Sequence, residues 1–168
     1  MSEDLRGPRI VLRACAAEHQ RRLRELHSSP EVAQWWHLPD PDWPFDEEPD
    51  TSRYTVLRGE DVVGFVQWYA ETDPQYRHAG LDLFLDPAVH GQGLGTEVVR
   101  TMCAHLVDEQ CFHRLVIDPE ARNAAAIACY SRVGFRPVGI MRQHSRDRHG
   151  KWHDGLLMDL LAAELVRG

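Results

Sequence analysis

Val89-His90-Gly91-Gln92-Gly93-Leu94-Gly95-Thr96 is the stretch on which the reading of this chain turns. Its three glycines alternate, and an amphipathic segment follows at once. From Leu94 to Asp108, Val98, Val99, Met102, Cys103, Leu106 and Val107 form one apolar stripe at i, i+3/i+4 spacing, which predicts a helix. Upstream, Leu81-Asp82-Leu83-Phe84-Leu85 alternates as a strand does and is stopped by Asp86-Pro87. Strand, glycine turn and helix start together make an anion site. Glycine lets the backbone turn sharply and approach a ligand, and the first amides of a helix have no partner within it. A diphosphate is the expected guest.

Outward from this stretch the chain alternates between the two periods. Arg9–Arg13 reads as a first strand, Glu18–Leu26 as an amphipathic helix, and Pro30 as the start of a short helix running to about Trp36. Residues 37–52 hold four prolines and read as a loop. Tyr54–Arg58 and Val62–Tyr69 predict a hairpin around Gly59-Glu60-Asp61, and residues 71–79 a polar turn. Past the long helix, Arg114–Asp118 is a short, nearly continuous apolar strand, as expected for a parallel neighbour buried on both faces. Asn123–Val133 reads as a helix capped by Gly134, and Phe135–Met141 and Leu156–Leu161 as closing strands. The order β-α-α-β-β-β-α-β-α-β-β predicts a mixed α/β sheet in a single domain, residues 1–168.

Composition narrows the function. Lys and Arg number 19 against 26 Asp and Glu, a net charge of −7. That balance argues against a nucleic-acid partner and suits a cationic ligand. Asp40, Asp42, Asp46, Glu47, Glu48 and Asp50 crowd into a stretch with no Lys or Arg. It reads equally as a solvated loop or as one that recruits substrate. Trp35, Trp36, Trp43 and Phe45 beside it are costly to expose together, so they are expected to pack or to bind. Four cysteines show no close pairing, and Cys103, Cys111 and Cys129 read as reduced core thiols of a cytoplasmic protein. Met1-Ser2-Glu3-Asp4 has neither a basic region nor an apolar run, so no signal peptide is expected, and no membrane span either.

The glycine pattern alone also fits a dinucleotide fingerprint, with Asp118 at about the ribose-binding distance. Against that, the third fingerprint glycine would fall on Thr96, and the motif follows a meander of antiparallel-looking strands. The second half of the pattern is Asp118-Pro119, Asn123, Ala126-Ile127, Tyr130 and Gly134-Phe135. Together with Gly91–Thr96, these residues resemble the GNAT superfamily of N-acetyltransferases over roughly residues 9–161. His90 departs from the superfamily's usual Gln or Arg.

The resemblance implies a mixed, mostly antiparallel sheet splayed between the strands at 81–85 and 114–118 and flanked by helices. It implies acetyl-coenzyme A as cofactor. The pyrophosphate would sit on the amides of Gly91, Gln92, Gly93, Leu94, Gly95 and Thr96. The pantetheine arm would run along Leu83, Phe84 and Leu85, with Asn123, Ala126 and Tyr130 also at the cofactor. A freed strand amide could polarise the thioester carbonyl. Tyr130 is then the candidate acid that protonates the leaving thiolate, or else a core tyrosine. Asn123 doubles as an N-cap. Asp82 is the candidate base, being a carboxylate in mid-strand near the splay, with Asp73 and Glu71 as supplements. Asp118 has a competing role in shaping the turn before Pro119. His144, His149 and His153 lack a companion cluster at metal spacing, so no metal is expected.

Trp35-Trp36, Glu71-Thr72-Asp73-Pro74, Gly80-Leu81-Asp82 and Cys129-Tyr130 look like the aminoglycoside 6′-N-acetyltransferases. That likeness implies acceptor contacts at Trp35, Trp36, Asp73, Asp82 and Asp118, and a small-molecule amine as substrate. Each ammonium needs a carboxylate partner, since an unpaired desolvated cation is expensive. Arg142, Arg146, Arg148 and Lys151 depart from this pattern, because a basic segment repels a polycation. Lys151-Trp152-His153-Asp154 resembles the tail of ribosomal-protein N-terminal acetyltransferases. A protein N-terminus, a siderophore precursor, or acyl-coenzyme A binding without catalysis are therefore the alternatives. Monomer and homodimer are left open.

Overall fold

The computed structural model describes residues 2–168. Eight strands form one sheet: β1 (Leu5–Arg6), β2 (Val11–Ala14), β3 (Thr51–Arg58), β4 (Asp61–Glu71), β5 (His78–Leu85), β6 (Arg114–Ile117), β7 (Arg136–Arg146) and β8 (Trp152–Leu161). Their spatial order is β1-β2-β3-β4-β5-β6-β8-β7. Every pairing is antiparallel except β5 with β6. Four helices cover the sheet: α1 (Gln20–His27), α2 (Pro30–Ala33), α3 (Leu94–Asp108) and α4 (Ala124–Val133). The mixed sheet and the element order agree with the sequence reading. Among the described residues, no helix is long and apolar enough to cross a membrane.

Several elements differ from the sequence reading, among them β3 and β5, which begin at Thr51 and His78 inside the expected loop and turn, and three differ for physical reasons. The two-residue β1 was not expected, because so short a strand carries no periodicity; it is recruited by pairing with β2. Helix α2 stops at Ala33 rather than near Trp36, because Trp36 turns into an aromatic cluster. Strands β7 and β8 run well past Met141 and start before Leu156, because their polar ends are paired along a long hairpin. One expectation about the thiols is corrected as well: Cys103 is buried, but Cys111 is exposed at the turn after α3, where its φ is 58°.

Strand alternation divides the core in two. Leu81 and Leu85 of β5 face α3 and α4, packing with Leu12, Val56, Val66, Leu94, Val98, Val99, Met102 and Leu106. Phe84 faces the other way, with Phe65 stacked on it at 5.6 Å, under Leu23 and Leu26 of α1 and Val32 of α2. Buried aliphatic side chains of this kind each contribute roughly 1.5–3 kcal/mol. His27 lies among Trp36, Trp43 and Phe84, with ring centroids 5.1–5.6 Å away. Burial lowers its pKa to about 4, so it packs as a neutral ring.

The parallel pair is short. Only Ala79↔Leu115 and Gly80↔Val116 are in register. Past Ile117 the chain follows β8 instead: Leu156 donates its N–H to the Pro119 carbonyl at 2.8 Å, and Ala121 donates to the Asp154 carbonyl at 2.9 Å. Pro119 has no N–H to give to a ladder. Residues 81–85 of β5 therefore have no strand partner on that side, and the sheet opens as a wedge. Leu81 is fully buried at the wedge's base. Leu81→Ala is expected to cost about 2–5 kcal/mol in a denaturant titration. A loss under 1 kcal/mol would show that the two layers do not meet there.

Candidate functional site

The glycine turn sits where β5 hands over to α3. Gly91 has φ +77°, and Gly93, the residue before the helix, has φ +78° and ψ 6°. Both conformations are strained for any residue with a Cβ. A Cβ at Gly91 would meet no heavy atom within 4 Å, so the outer face of the turn is open. His90 ties the turn to the end of β5, with Nε2 3.0 Å from the Leu85 carbonyl oxygen. Two guanidiniums converge on Gln92: Arg9 donates to its carbonyl at 3.0 Å and Arg58 to its Oε1 at 2.9 Å. Arg9 is itself held by the buried Glu97 at 2.8 Å. Arg58, which no carboxylate pairs among the described residues, thus adds positive charge beside the free amides of α3, a setting that favours an anion. Neither arginine stood out in the sequence, because the contacts to Gln92 cross 83 and 34 residues.

Gly95 lies on the α3–α4 contact, where a Cβ would come 3.4 Å from the Cys129 sulfur. Buried Thr96 meets the same sulfur at 3.5 Å. Asn123 caps α4, its Oδ1 accepting from the Ala126 N–H at 3.2 Å, so the capping role is observed. Leu83 is half-buried, whereas Phe84 and Leu85 send their side chains into the two cores and present backbone to the wedge.

Four oxygen-bearing side chains gather at the wedge. In β4 and β5, Gln67 stands opposite Asp82, and Tyr69 opposite Gly80. The Tyr69 ring lies over Gly80, where a Cβ would be 2.3 Å from its hydroxyl; only glycine leaves room for the phenol. Gln67 donates to Asp82 Oδ2 at 3.1 Å and accepts from Arg53 Nε at 3.2 Å, and Arg53 is gripped by Asp46 and Glu48 at 2.7 and 2.6 Å. Two acids of the 40–50 loop are therefore engaged by Arg53, which holds the Asp46 carboxyl below the usual range. Burial raises the Asp82 pKa to about 6, against the Gln67 hydrogen bond and with help from the charge on Asp118.

Tyr130, 9% exposed, packs edge-on against Phe135. Its hydroxyl has no hydrogen-bond partner among the described residues, yet it is not one of the polar atoms sealed from solvent. Burial pushes its phenol well above the ordinary range, and the nearby Cys129, Asp82 and Asp118 push the same way. Tyr69 is raised by burial and by the same two carboxylates. Asp82, Asp118, Tyr69 and Tyr130 are thus within reach of one another's charge. Tyr69 was missed in the sequence, although its parity with Gln67 and its place opposite a glycine could have found it.

The remaining candidates are placed differently. Asp73 is exposed, and its carboxylate accepts from the Gln75 N–H at 2.9 Å, closing its own turn away from this group. Trp36 is a half-buried wall of the aromatic cluster, while the Arg122 guanidinium lies 4.9 Å over the Trp35 ring. The β7–β8 hairpin tip reaches the same wall, Arg148 donating to the Trp36 carbonyl at 3.3 Å. Among the described residues no His, Cys, Asp or Glu cluster is placed to hold a metal. A groove of about 610 Å³ lies behind α3, between Arg9, Arg100 and Arg167, and meets the site at Arg9, Gly93 and Glu97.

A carboxyl whose folded pKa exceeds its unfolded value of about 4 stabilises the fold at low pH and loses that contribution as pH rises through about 6. Above that pH the buried charge is a cost. Asp82→Asn is therefore expected to be more stable than the parent at pH 7.5, by on the order of 2 kcal/mol, the gain shrinking toward pH 4. Denaturant midpoints at the two pH values check this; a pH-independent difference would refute it.

Comparison with known proteins adds to this geometry. Residues 18–135 match the model of the acetyltransferase (GNAT) family. An aminoglycoside N(6′)-acetyltransferase type 1 of Klebsiella pneumoniae is 27% identical over 159 residues, covering 79% of this chain and 76% of its own. A kanamycin resistance protein of Rhizobium radiobacter is 38% identical over 75 residues, covering 44% of this chain and 68% of its own. The crystal structure of AAC(6′)-Ib with paromomycin and acetyl-coenzyme A superposes with a TM-score of 0.75 at 23% identity, covering 95% and 98% of the two chains.

Proposed function

The chain belongs to the acetyltransferase (GNAT) family and is an acetyl-CoA-dependent N-acetyltransferase, and from that premise we propose that it acetylates a primary amine of a small cationic molecule, of which an aminoglycoside is the leading example. The observation that carries the reading is that Asp82 and Tyr69 stand at the closed end of a wedge in the sheet, with Asp118 at the end of β6 and the Tyr130 phenol within range of both carboxylates, while the open end of the wedge leads to the glycine turn. The residues fit the cofactor. The turn's open face, the amides of Gly91–Thr96 and the charges of Arg9 and Arg58 suit a pyrophosphate. The unpaired backbone of residues 81–85 suits an extended amide-bearing arm.

When bound, acetyl-coenzyme A supplies the activated acyl group. The chain's own residues do the rest. Asp82, with a pKa near 6, is a stronger base than an ordinary carboxylate and is charged at neutral pH. It draws the acceptor's ammonium into the wedge and takes its proton. Gln67 holds the receiving carboxylate in place through the Arg53 bridge. Burial keeps Tyr130 protonated at neutral pH, so its hydroxyl is available to donate a hydrogen bond, and then a proton, to the departing sulfur of the acyl donor. Direct attack within a ternary complex follows, since no cysteine or serine stands beside a base in this group. The relatives named as an aminoglycoside N(6′)-acetyltransferase and a kanamycin resistance protein, together with the acidic loop, support a polycationic acceptor.

Expected kinetics are specific. Tyr130→Phe lowers kcat by about 10²-fold or more while calorimetric coenzyme A affinity stays within a few-fold. The parent's rate rises with pH through about 6 as Asp82 loses its proton, and Asp82→Asn removes that limb. Thiol release with kanamycin-type amines but not with peptides supports the acceptor class; full activity of Tyr130→Phe at every pH eliminates its acid role.

A further inference from the structure

We propose that His144 is a positioning residue that sets the affinity for acceptors carrying two amino groups, by fixing the Asp118 carboxylate at the wedge. The inference rests on the acetyl-transfer reading and extends it to a residue on the β7–β8 hairpin. His144 Nε2 lies 2.9 Å from Asp118 Oδ2. A carboxylate can only accept, so Nε2 carries the proton and donates it.

The backbone goes out of its way to aim this ring. Met141 pairs with Gly155 and Ser145 with His153, so four steps along β7 match two along β8. The surplus residues bulge out. Within the bulge Gln143 adopts φ 49°, and its N–H is held by Asp154 Oδ1 at 2.8 Å. The strand's alternation is thereby reset, and the His144 ring lies across Gly155, where a Cβ would be 3.0 Å from its Cδ2. Bulge, left-handed residue and glycine together turn one side chain toward Asp118.

The two wedge carboxylates consequently have different companions. Asp82 has a neutral amide, Gln67, and is largely buried, so it can exchange a proton. Asp118, with its side chain 28% exposed, has an imidazole N–H on one oxygen and remains open to solvent. One carboxylate serves the reacting amine; the other is held rigid for a second ammonium. A diamine or amino sugar meets both, and a monoamine meets only the first. Rigid placement cuts the ordering cost of binding, and its loss falls on affinity rather than on the chemical step.

The test uses calorimetry in the presence of coenzyme A, with a linear diamine and the monoamine of equal length, on the parent, His144→Ala and His144→Gln. Diamine affinity is expected to fall about tenfold in His144→Ala, with monoamine affinity unmoved. His144→Gln, which keeps an N–H donor, recovers most of the loss. In turnover the change appears in KM for the diamine, with kcat within about twofold. Equal diamine affinity in the parent and His144→Ala overturns the proposal, as does a parent that binds diamine no better than monoamine. A parent that binds coenzyme A yet acetylates neither amine refutes the acetyl-transfer reading, while the affinity comparison still decides the role of His144.

Discussion

Two residue pairs between β5 and β6 are the constraint on which this molecule depends. A longer parallel ladder would close the sheet and leave neither an edge for an extended ligand nor a mouth for carboxylates. A shorter one would let the β6–β8–β7 half drift from the rest. The break follows from chain chemistry: β6 ends in Asp118-Pro119, proline offers no ladder donor, and the next residues bond to β8. Both halves are then anchored from below, because Leu81, Leu115, Met158 and Leu160 are all fully buried in the layer against α3 and α4.

Strand alternation gives the two faces of β4 and β5 different work. One set of side chains builds the α3–α4 core. The opposite set runs from Phe65 and Phe84, under α1 and α2, to Gln67, Asp82 and Tyr69 at the wedge. Burial of Asp82 between the strands raises its pKa, and the charge on Asp118 adds to the rise. That buried charge costs stability, and the Gln67–Arg53–Asp46 chain of hydrogen bonds offsets part of the cost while orienting the group. Stability and reactivity are thus opposed at Asp82, as is common where a site needs a displaced pKa.

The basic hairpin tip and the acidic loop, which in one dimension look like rival signals about the acceptor, take on narrower roles once folded. Asp46 and Glu48 spend their charge on Arg53, and Arg148 ends on the Trp36 carbonyl. His153 bonds to Asp147, and its backing by Glu120 ties the hairpin to the loop after β6. From the hairpin the His144 imidazole reaches Asp118, while Arg148 is turned to the Trp36 carbonyl and Arg146 lies over Trp152.

Local chemistry was enough to read the helices α3 and α4, the glycine turn, the Asn123 cap, the Gly134 stop and the order of the elements. Each depends on residues within a turn or two of one another, where periodicity and missing Cβ atoms act directly. Asp82 could be singled out from strand parity, and Tyr130 from its place in the motif that resembles the superfamily. Their proximity could not, nor could the Gln67–Arg53 bridge, the paired arginines at Gln92 or the tie of Asp46 to Arg53. Those depend on register between strands far apart in the chain and on a bulge that resets alternation in β7. The amino-acid order by itself determined which groups were available for the chemistry. Only the tertiary structure decided which of them share a low-dielectric wedge, because burial and distance, the two quantities that set a pKa, do not exist until the sheet has closed.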